Sequence, residues 1–439
     1  MFQPLYTADE MRAAEEGHDV QAMMERAGRA VADAVLRRYP DARRIAAVCG
    51  KGANGGDGKI ALRILGEAGR ETTEELDGDA DVVIDALFGT GFHGEPRAEA
   101  AAQIEQINKA GVPVVAVDLP SGVDASTGEV AGAAVQADVS VTMHGPKIGL
   151  VVAPGRFQAG EIEVADIGLE AGKTKHRLVT DEILQLVPRR RQGDSKYTAG
   201  AVLVIGGSPG MTGAVCLAAE AAFRADAGYV AVATHEGALP IVEARVLEAV
   251  KAPLERIDEL VPRASAIAIG PGLGRGPEER ELVRDALARH AVPAVVDADA
   301  LFELEPARWA APRVLTPHAG ELARLLGEES SSVDAHRLDA VRRAAERYDC
   351  VVLLKGADTL VAAPGEGILV CSAGPPSLAT AGSGDVLTGV IAAFLAKGMD
   401  ARLAAAAGAI AHGRAAALVP QQAGLVASDV VARLPHALA

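Results

Sequence analysis

The sequence of 439 residues is poor in the residues that mark several classes of protein. Aromatic residues make up only 3% of it. Its four cysteines, Cys49, Cys216, Cys350 and Cys371, are far apart and form no CxxC pair, so neither a zinc site nor a disulfide framework is expected. No uncharged apolar run reaches the roughly 18 residues of a transmembrane segment, so no membrane-spanning helix is predicted.

The sequence also lacks an excess of positive charge. Its 43 basic and 59 acidic side chains give a formal net charge of −16. This balance argues against a nucleic-acid partner and against an anionic membrane surface. The first residues include Asp9, Glu10, Glu15 and Glu16 and no long apolar core, so no signal peptide is expected. Together these absences predict a soluble, cytoplasmic protein.

Apolar segments are abundant, and they alternate between strand-like and helical patterns. The predicted strands are residues 45–49, 82–87, 114–119, 201–205, 229–233, 266–269, 294–296 and 351–354. The predicted helices are residues 214–227, 278–290, 335–349, 386–396 and 403–418. This alternation predicts doubly wound parallel sheets, with ligands at the carboxyl ends of the strands. The length predicts two domains, and a polar stretch near residues 168–178 divides them into residues 1–172 and 178–439.

A glycine-rich turn at residues 380–389, Thr-Ala-Gly-Ser-Gly-Asp-Val-Leu-Thr-Gly, leads into the predicted helix at 386–396. Such a turn exposes backbone N–H groups at a helix N-terminus, where the helix dipole favours a phosphate or a developing anion. Asp385 lies at the junction and is placed to take a proton from a substrate hydroxyl. Any tight turn before a helix could have this pattern, so the GxGD sequence needs support from other motifs.

Further motifs accompany this turn in the second half of the chain. They are Gly-Gly-Ser-Pro-Gly-Met-Thr-Gly-Ala at 206–214, Gly-Pro-Gly-Leu-Gly at 270–274, Asp-Ala-Asp-Ala-Leu at 297–301, Thr-Pro-His-Ala-Gly-Glu at 316–321 and Lys-Gly-Ala-Asp-Thr at 355–359. The set resembles the ribokinase-like superfamily and, within it, the ADP/ATP-dependent NAD(P)H-hydrate dehydratases. The resemblance covers about residues 178–439 and implies a ribokinase-like, doubly wound α/β domain.

The resemblance implies roles for individual residues. Asp385 matches the catalytic base and also contacts substrate, while Ala214, Gly272 and His318 match further substrate contacts. The implied nucleotide-binding residues are Lys355, Gly356, Ala357, Asp358, Thr359, Ala381, Gly382, Ser383 and Gly384. The implied phosphoryl donor is ADP, accompanied by Mg²⁺. A lone histidine is more often structural, so both interpretations of His318 stay open. Ser195 stands where the family usually has histidine, and residues 375–377 read Pro-Pro-Ser where Asn-Pro-Gly is common.

Four motifs in the first half form a second set. They are Cys-Gly-Lys-Gly-Ala-Asn-Gly-Gly-Asp-Gly at 49–58, Asp-Ala-Leu-Phe-Gly-Thr-Gly-Phe at 85–92, Val-Asp-Leu-Pro-Ser-Gly-Val-Asp at 117–124 and Thr-Met-His-Gly-Pro-Lys-Ile-Gly-Leu at 142–150. The first alone could be a phosphate-binding loop or an ordinary glycine-rich turn. In this order the four motifs resemble the NAD(P)H-hydrate epimerase domain, which implies a Rossmann-like three-layer domain over about residues 5–170.

This second resemblance implies a potassium site and a substrate site. The implied K⁺ ligands are Asn54, Asp85 and Ser121, whose oxygens suit a hard cation. The implied contacts to the hydrated nucleotide are Asn54, Gly55, Gly56, Asp57, Gly89, Thr90, Gly91, Phe92, His93, Gly94, Glu95 and Asp118. Asp118 is the predicted proton-handling residue, with Lys147 assisting, although a turn or helix-cap role for Asp118 is the alternative.

The first half also departs from the family pattern. Ala53 stands where the family loop usually has a first asparagine. The segment between Gly58 and Asp85, residues 59–84, is shorter than in typical members and has room for a short strand at most. An edge strand and its crossover are therefore expected to be missing, and the bared edge to be covered by a subunit partner or by the C-terminal domain.

Taken together, the motifs predict a bifunctional enzyme that repairs hydrated nicotinamide nucleotides. Its predicted partners are NADHX, NADPHX and ADP, and a homo-oligomer is expected. One domain would interconvert the R and S epimers, and the other would dehydrate the S form with ADP. Two alternatives remain: a small-molecule kinase of the hydroxymethylpyrimidine or sugar type, and a non-catalytic nucleotide-binding module in the N-terminal half.

Overall fold

The computed structural model describes residues 1–76 and 78–439. The chain divides into two compact units, residues 4–177 and residues 178–439 together with 1–3. Among the described residues, no helix is both long and apolar enough to cross a membrane.

The N-terminal unit is a parallel sheet between helices. The first strand, β1 (Phe2–Leu5), belongs to the sheet of the C-terminal unit, and the N-terminal unit itself contains α1 (Ala8–Glu15), α2 (Val20–Arg38), β2 (Arg44–Cys49), α3 (Ala53–Glu67), β3 (Glu71–Thr73), β4 (Val82–Ala86), α4 (Ala98–Lys109), β5 (Val114–Val117), β6 (Val139–Met143) and β7 (Glu161–Ala165). Strands in the order β3-β2-β4-β5-β6-β7 form a six-stranded sheet in which every pair is parallel.

Two apolar cores cover the two faces of this sheet. Ile45 and Ala47 of β2 pack with α2 and α3, whereas Ala46 and Val48 pack with α4. Because successive strand residues point to opposite faces, a run that is apolar at every position is buried on both sides. The predicted Rossmann-like three-layer arrangement is therefore confirmed.

The shortened segment contains a single short strand. β3 has three residues and pairs in parallel with β2 at one edge of the sheet. The chain then reaches β4 without a helix among the described residues. The loops that carry the motifs follow inner strands of the sheet, whereas the shortened segment forms its edge, so the shortening does not affect those loops directly.

The C-terminal unit contains most of the remaining elements. They are β8 (His176–Val179), β9 (Ala201–Ile205), α5 (Thr212–Arg224), β10 (Tyr229–Thr234), α6 (Leu239–Arg245), β11 (Val250–Pro253), α7 (Ile257–Leu260), β12 (Ala266–Ile269), α8 (Pro277–Arg289), β13 (Ala294–Val296), β14 (Arg313–Leu315), α9 (Ala319–Leu326), α10 (Ser330–Ala335), α11 (Arg337–Tyr348), β15 (Val351–Leu354), β16 (Thr359–Ala362), β17 (Leu369–Cys371), α12 (Ser383–Ala396), α13 (Ala401–Ala417) and α14 (Ala427–Ala437).

These strands belong to a sheet with the order β1-β8-β17-β16-β15-β14-β13-β12-β9-β10-β11. The pairs from β15 to β11 are parallel, and β15-β16-β17 are antiparallel. Helix α12 packs in the core and is buried from Val386 to Ala396. Its N-terminus therefore has a fixed position relative to the strand ends.

Candidate active sites

A cavity of about 950 Å³ lies in the N-terminal unit, where the loops after β2, β4 and β5 meet. The predicted substrate residues that line it are Asn54, Asp57, Gly89, Thr90, Gly91, Phe92, His93, Glu95 and Asp118, together with Lys147. Gly55, Gly56 and Gly94 are not among its lining residues. The structure thus brings most of the predicted epimerase residues together around one space.

Asp118 and Lys147 form a buried ion pair beside this cavity. Asp118 follows β5 directly, and its Oδ1 accepts hydrogen bonds from Lys147 Nζ at 2.5 Å, Thr142 Oγ1 at 3.1 Å and Met143 N at 3.1 Å. The lysine is completely buried and also bonds Thr142 Oγ1 and Met143 O, which uses all three ammonium protons. All three donors to Asp118 engage the same oxygen, so Oδ2 is the oxygen left for a ligand. The carboxylate does not cap a helix.

Burial shifts the pKa of two other carboxyl groups that line this cavity, Asp57 and Glu15. Asp57 is only 8% exposed, and its Oδ1 has no hydrogen-bond partner in the part of the chain that the structure describes. Burial raises the pKa of Asp57 to about 8, and the charges of Asp118 and Glu15 add to this effect. Burial also raises the pKa of Glu15. Glu15 was not predicted as a site residue, because it ends α1 far from the glycine-rich motifs and no pattern around it indicates a ligand.

Two of the predicted potassium ligands, Asn54 and Ser121, contact the peptide group of Phe88, and the third, Asp85, contacts Ser121. Asn54 Nδ2 donates to Phe88 O at 3.0 Å, and Phe88 N donates to Ser121 Oγ at 2.9 Å. Asp85 is completely buried and accepts hydrogen bonds from Ser121 Oγ and N, both at 2.7 Å, and from Leu87 N at 3.3 Å. Burial raises the pKa of Asp85 to about 6. These donors are neutral, so they do not balance the negative charge of the buried Asp85 carboxylate. Together with the nearby amide, hydroxyl and carbonyl oxygens, this carboxylate fits a bound cation.

The GxGD turn forms the N-terminus of α12. Gly382 precedes the helix with φ of +86°, a left-handed conformation that favours glycine, and a Cβ there would come within 2.7 Å of Leu217. Within residues 1–76 and 78–439, no side chain caps this end of the helix. Backbone N–H groups in the first turn of an uncapped helix are suited to bind an anion.

Charged side chains converge beside this turn. Asp297, which follows β13 and is 1% exposed, accepts hydrogen bonds from Lys355 Nζ at 2.8 Å and from Thr388 Oγ1 at 2.7 Å. Glu321 Oε2 lies 3.9 Å from Lys355 Nζ. Burial raises the pKa of Asp385 to about 7, and the charge of Asp297 adds to this while Lys355 opposes it. The carboxyl is thereby suited to act as a base near neutral pH.

The predicted nucleotide-binding residues 355–359 differ in their distance from the α12 turn and in their contacts. Lys355 Nζ lies beside Gly384, 3.3 Å from where a Cβ would stand, and so reaches the α12 turn. Asp358 is completely buried and pairs with Arg337, whose guanidinium donates to the Asp358 carbonyl at 2.8 Å. Ala357 lies between Lys355 and Asp358 in the loop that ends where Thr359 begins β16.

Two predicted substrate residues are adjacent, and a third has a structural role. A Cβ added to Gly272 would lie 3.2 Å from the Cβ of Ala214. His318 is the N-cap of α9. Its Nδ1 accepts a hydrogen bond from Gly320 N at 3.0 Å, and its backbone N donates a hydrogen bond to Glu321 Oε2 at 2.9 Å. The cap gives His318 a structural role, and because its ring is half-exposed, its contact with substrate stays a prediction.

A Rossmann-like domain and a ribokinase-like domain, each with charged residues at strand ends, define a two-site nucleotide-handling enzyme. The family model described as NAD(P)H-hydrate dehydratase matches residues 202–435. The model described as YjeF-related protein N-terminus matches residues 20–74 and 66–149. Each match covers the half of the chain in which its motifs lie.

Curated relatives match nearly the whole chain. A bifunctional NAD(P)H-hydrate repair enzyme of Moorella thermoacetica is 39% identical, over 95% of this chain and 92% of the relative. One from Escherichia coli is 34% identical, over 98% and 93%. A Bacillus subtilis ADP/ATP-dependent NAD(P)H-hydrate dehydratase, crystallised with ATP and Mg²⁺, is 29% identical with a TM-score of 0.55, over 59% of this chain and 96% of that one.

The chain therefore belongs to the family of bifunctional NAD(P)H-hydrate repair enzymes. The predicted enzyme class, an epimerase fused to a dehydratase, is confirmed, and the relatives favour it over the small-molecule kinase alternative.

Proposed function

We propose that residues 178–439 transfer the β-phosphoryl group of ADP to the hydroxyl of S-NADHX or S-NADPHX. Asp385 takes the hydroxyl proton as the oxygen bonds to the β-phosphorus of ADP and the bond from that phosphorus to the bridging oxygen breaks, which releases AMP. Backbone N–H groups of residues 382–384 stabilise the charge on the transferring group. Loss of phosphate from the product restores NADH or NADPH. The observation that carries this proposal is Asp385 at the uncapped end of α12, with Lys355 beside it.

Magnesium would accompany the nucleotide in this reaction. Among the described residues, no three or more His, Cys, Asp or Glu side chains are grouped so that they could hold a metal ion. Mg²⁺ is commonly held by substrate phosphates, waters and one or two carboxylates, and a nucleotide at the α12 turn fits that arrangement. In this role the ion neutralises phosphate charge.

Residues 1–172 would interconvert the R and S epimers, so that a dehydratase specific for the S form can consume both. The ion pair of Asp118 with Lys147 at the edge of a cavity supports an enzyme over a non-catalytic module. The test uses an equal mixture of R- and S-NADHX with ADP, followed by NADH absorbance. Recovery of all the NADH at enzymatic rate supports both activities. A burst that stops at the S half would show that the N-terminal domain does not epimerise.

Oligomeric assembly stays a prediction. One edge of the six-stranded N-terminal sheet is the three-residue β3, which is too short to pair extensively with another chain. The other edge is β7, which exposes Val164. Sedimentation of the purified chain would determine the number of subunits.

ADP is expected to be a better phosphoryl donor than ATP. This expectation rests on the resemblance to bacterial bifunctional enzymes and not on the residues of the site. Dehydration of S-NADHX would be measured with ADP and with ATP that has been cleared of ADP. Faster turnover with ATP would contradict the expectation.

A monovalent cation is expected to bind between Asn54, Asp85 and Ser121 and to support epimerisation. Removing K⁺ should slow conversion of R-NADHX, since Asp85 would be left as a buried carboxylate with neutral partners. Dehydration of S-NADHX on the same chain is the internal control. In crystals grown with K⁺, the metal–oxygen distances should exceed the roughly 2.0–2.1 Å of magnesium. Epimerisation indifferent to K⁺, with no bound cation, would contradict the site.

A further inference from the structure

Asp297 is a buried carboxylate to which the reaction described above assigns no role. It follows β13, and its two oxygens bind side chains from two different elements. Oδ1 accepts from Lys355, which follows β15, and Oδ2 accepts from Thr388 on α12. A buried charge of this kind is costly unless it is paired, so this arrangement is well defined.

Both partners of Asp297 lie next to the candidate base. Thr388 comes three residues after Asp385 on α12, so the two side chains lie on the same side of the helix. Lys355 Nζ lies beside Gly384, the residue before Asp385. The charged groups that face Asp385 are Asp297, Asp299, Glu321 and Lys355.

We propose that Asp297 is a positioning residue of the dehydratase site, which holds the Lys355 ammonium and anchors α12 so that the Asp385 carboxyl stays free to take the substrate proton. This inference rests on the function proposed above. An ammonium bound to Asp297 is not free to pair with Asp385, and a base paired with an ammonium would be a weaker proton acceptor. Asp297 acts through Lys355 and Thr388 and need not touch substrate.

The pH dependence of the reaction separates this role from a purely structural one. In the wild type, kcat/KM for S-NADHX should rise with pH as Asp385 loses its proton, with a midpoint near its pKa of about 7. Asp297→Asn removes a negative neighbour and loosens Lys355, and both changes favour the ionised form of Asp385. The midpoint should therefore move down by about one pH unit, while the plateau falls by about tenfold as the site loses its alignment.

Two variants of the partners serve as controls. Lys355→Met removes the positive neighbour of Asp385, so the midpoint should move to higher pH. Thr388→Val breaks the other hydrogen bond of Asp297 but leaves every charge in place, so the plateau should fall and the midpoint should not move. The full chain is used throughout, and thermal unfolding shows whether the C-terminal unit of each variant is folded.

The outcomes are distinct. An equal loss of kcat/KM at every pH in Asp297→Asn, with an unmoved midpoint, would overturn the proposal. If Asp297→Asn does not fold, an unmoved midpoint in Lys355→Met would overturn it instead. A wild-type chain without ADP-dependent dehydration would refute the proposed function rather than this inference.

Discussion

Replacing Asp385 with asparagine is expected to slow ADP-dependent dehydration of S-NADHX by roughly 10²–10⁴-fold, the range for losing a general base. The amide has the size of the carboxyl but cannot take the hydroxyl proton. Asp385 is mostly buried, and burial with the charge of Asp297 brings its pKa to about 7, so the wild-type carboxyl is available as a base above that pH. Single-turnover rates at pH 8 would measure the difference.

Nucleotide binding should persist in Asp385→Asn, because the N–H groups of the α12 turn are unchanged. A matched control is Asp400→Asn, which makes the same chemical change at another helix N-terminus. Asp400 caps α13 by accepting from Arg402 N and Leu403 N, and asparagine caps a helix about as well. The control should dehydrate S-NADHX normally. Near-normal turnover in Asp385→Asn would refute the assigned base.

The fold was predictable where strands are apolar at every position. The runs 201–205, 266–269, 294–296 and 351–354 became β9, β12, β13 and β15 with the predicted bounds, because strands buried on both faces need continuous apolar residues. Strand β6 was not predicted, since its Ser140 and Thr142 interrupt the apolar pattern. Both are fully buried, and they donate to Ala159 O and to Asp118, partners that the sequence does not reveal.

The candidate sites could be predicted only in part. The loops after parallel strands must meet at one sheet edge, so Asn54, Asp85 and Asp118 could be expected to lie close together. Which side chains form pairs depends on distances between segments remote in sequence. Glu15 reaches the cavity from α1, and Asp358 pairs with Arg337. Neither contact follows from a local motif.

Replacing Asp118 with asparagine in the full-length chain is expected to slow conversion of R-NADHX by roughly 10²–10⁴-fold. The asparagine amide cannot take up a proton as the Asp118 carboxylate can, and the ammonium of Lys147 loses its anionic partner. Removing one member of a buried ion pair costs about 3–5 kcal/mol, so the N-terminal unit should also be less stable. An unstable N-terminal unit would also convert R-NADHX slowly, so the effect on stability has to be separated from the effect on catalysis.

The double variant Asp118→Asn/Lys147→Met provides this separation, because it removes the unpaired ammonium together with the carboxylate. It should recover stability in thermal unfolding but remain unable to convert R-NADHX. Asp124→Asn is the matched control from the same loop, where the carboxylate accepts hydrogen bonds from Ser126 N and Thr127 N in a turn. R-NADHX is supplied with ADP, and the chain's own dehydratase reports each S epimer formed. Because the dehydratase site is untouched, S-NADHX should be consumed at the wild-type rate in every variant. If the stable double variant still consumed R-NADHX at the wild-type rate, Asp118 would have no part in epimerisation.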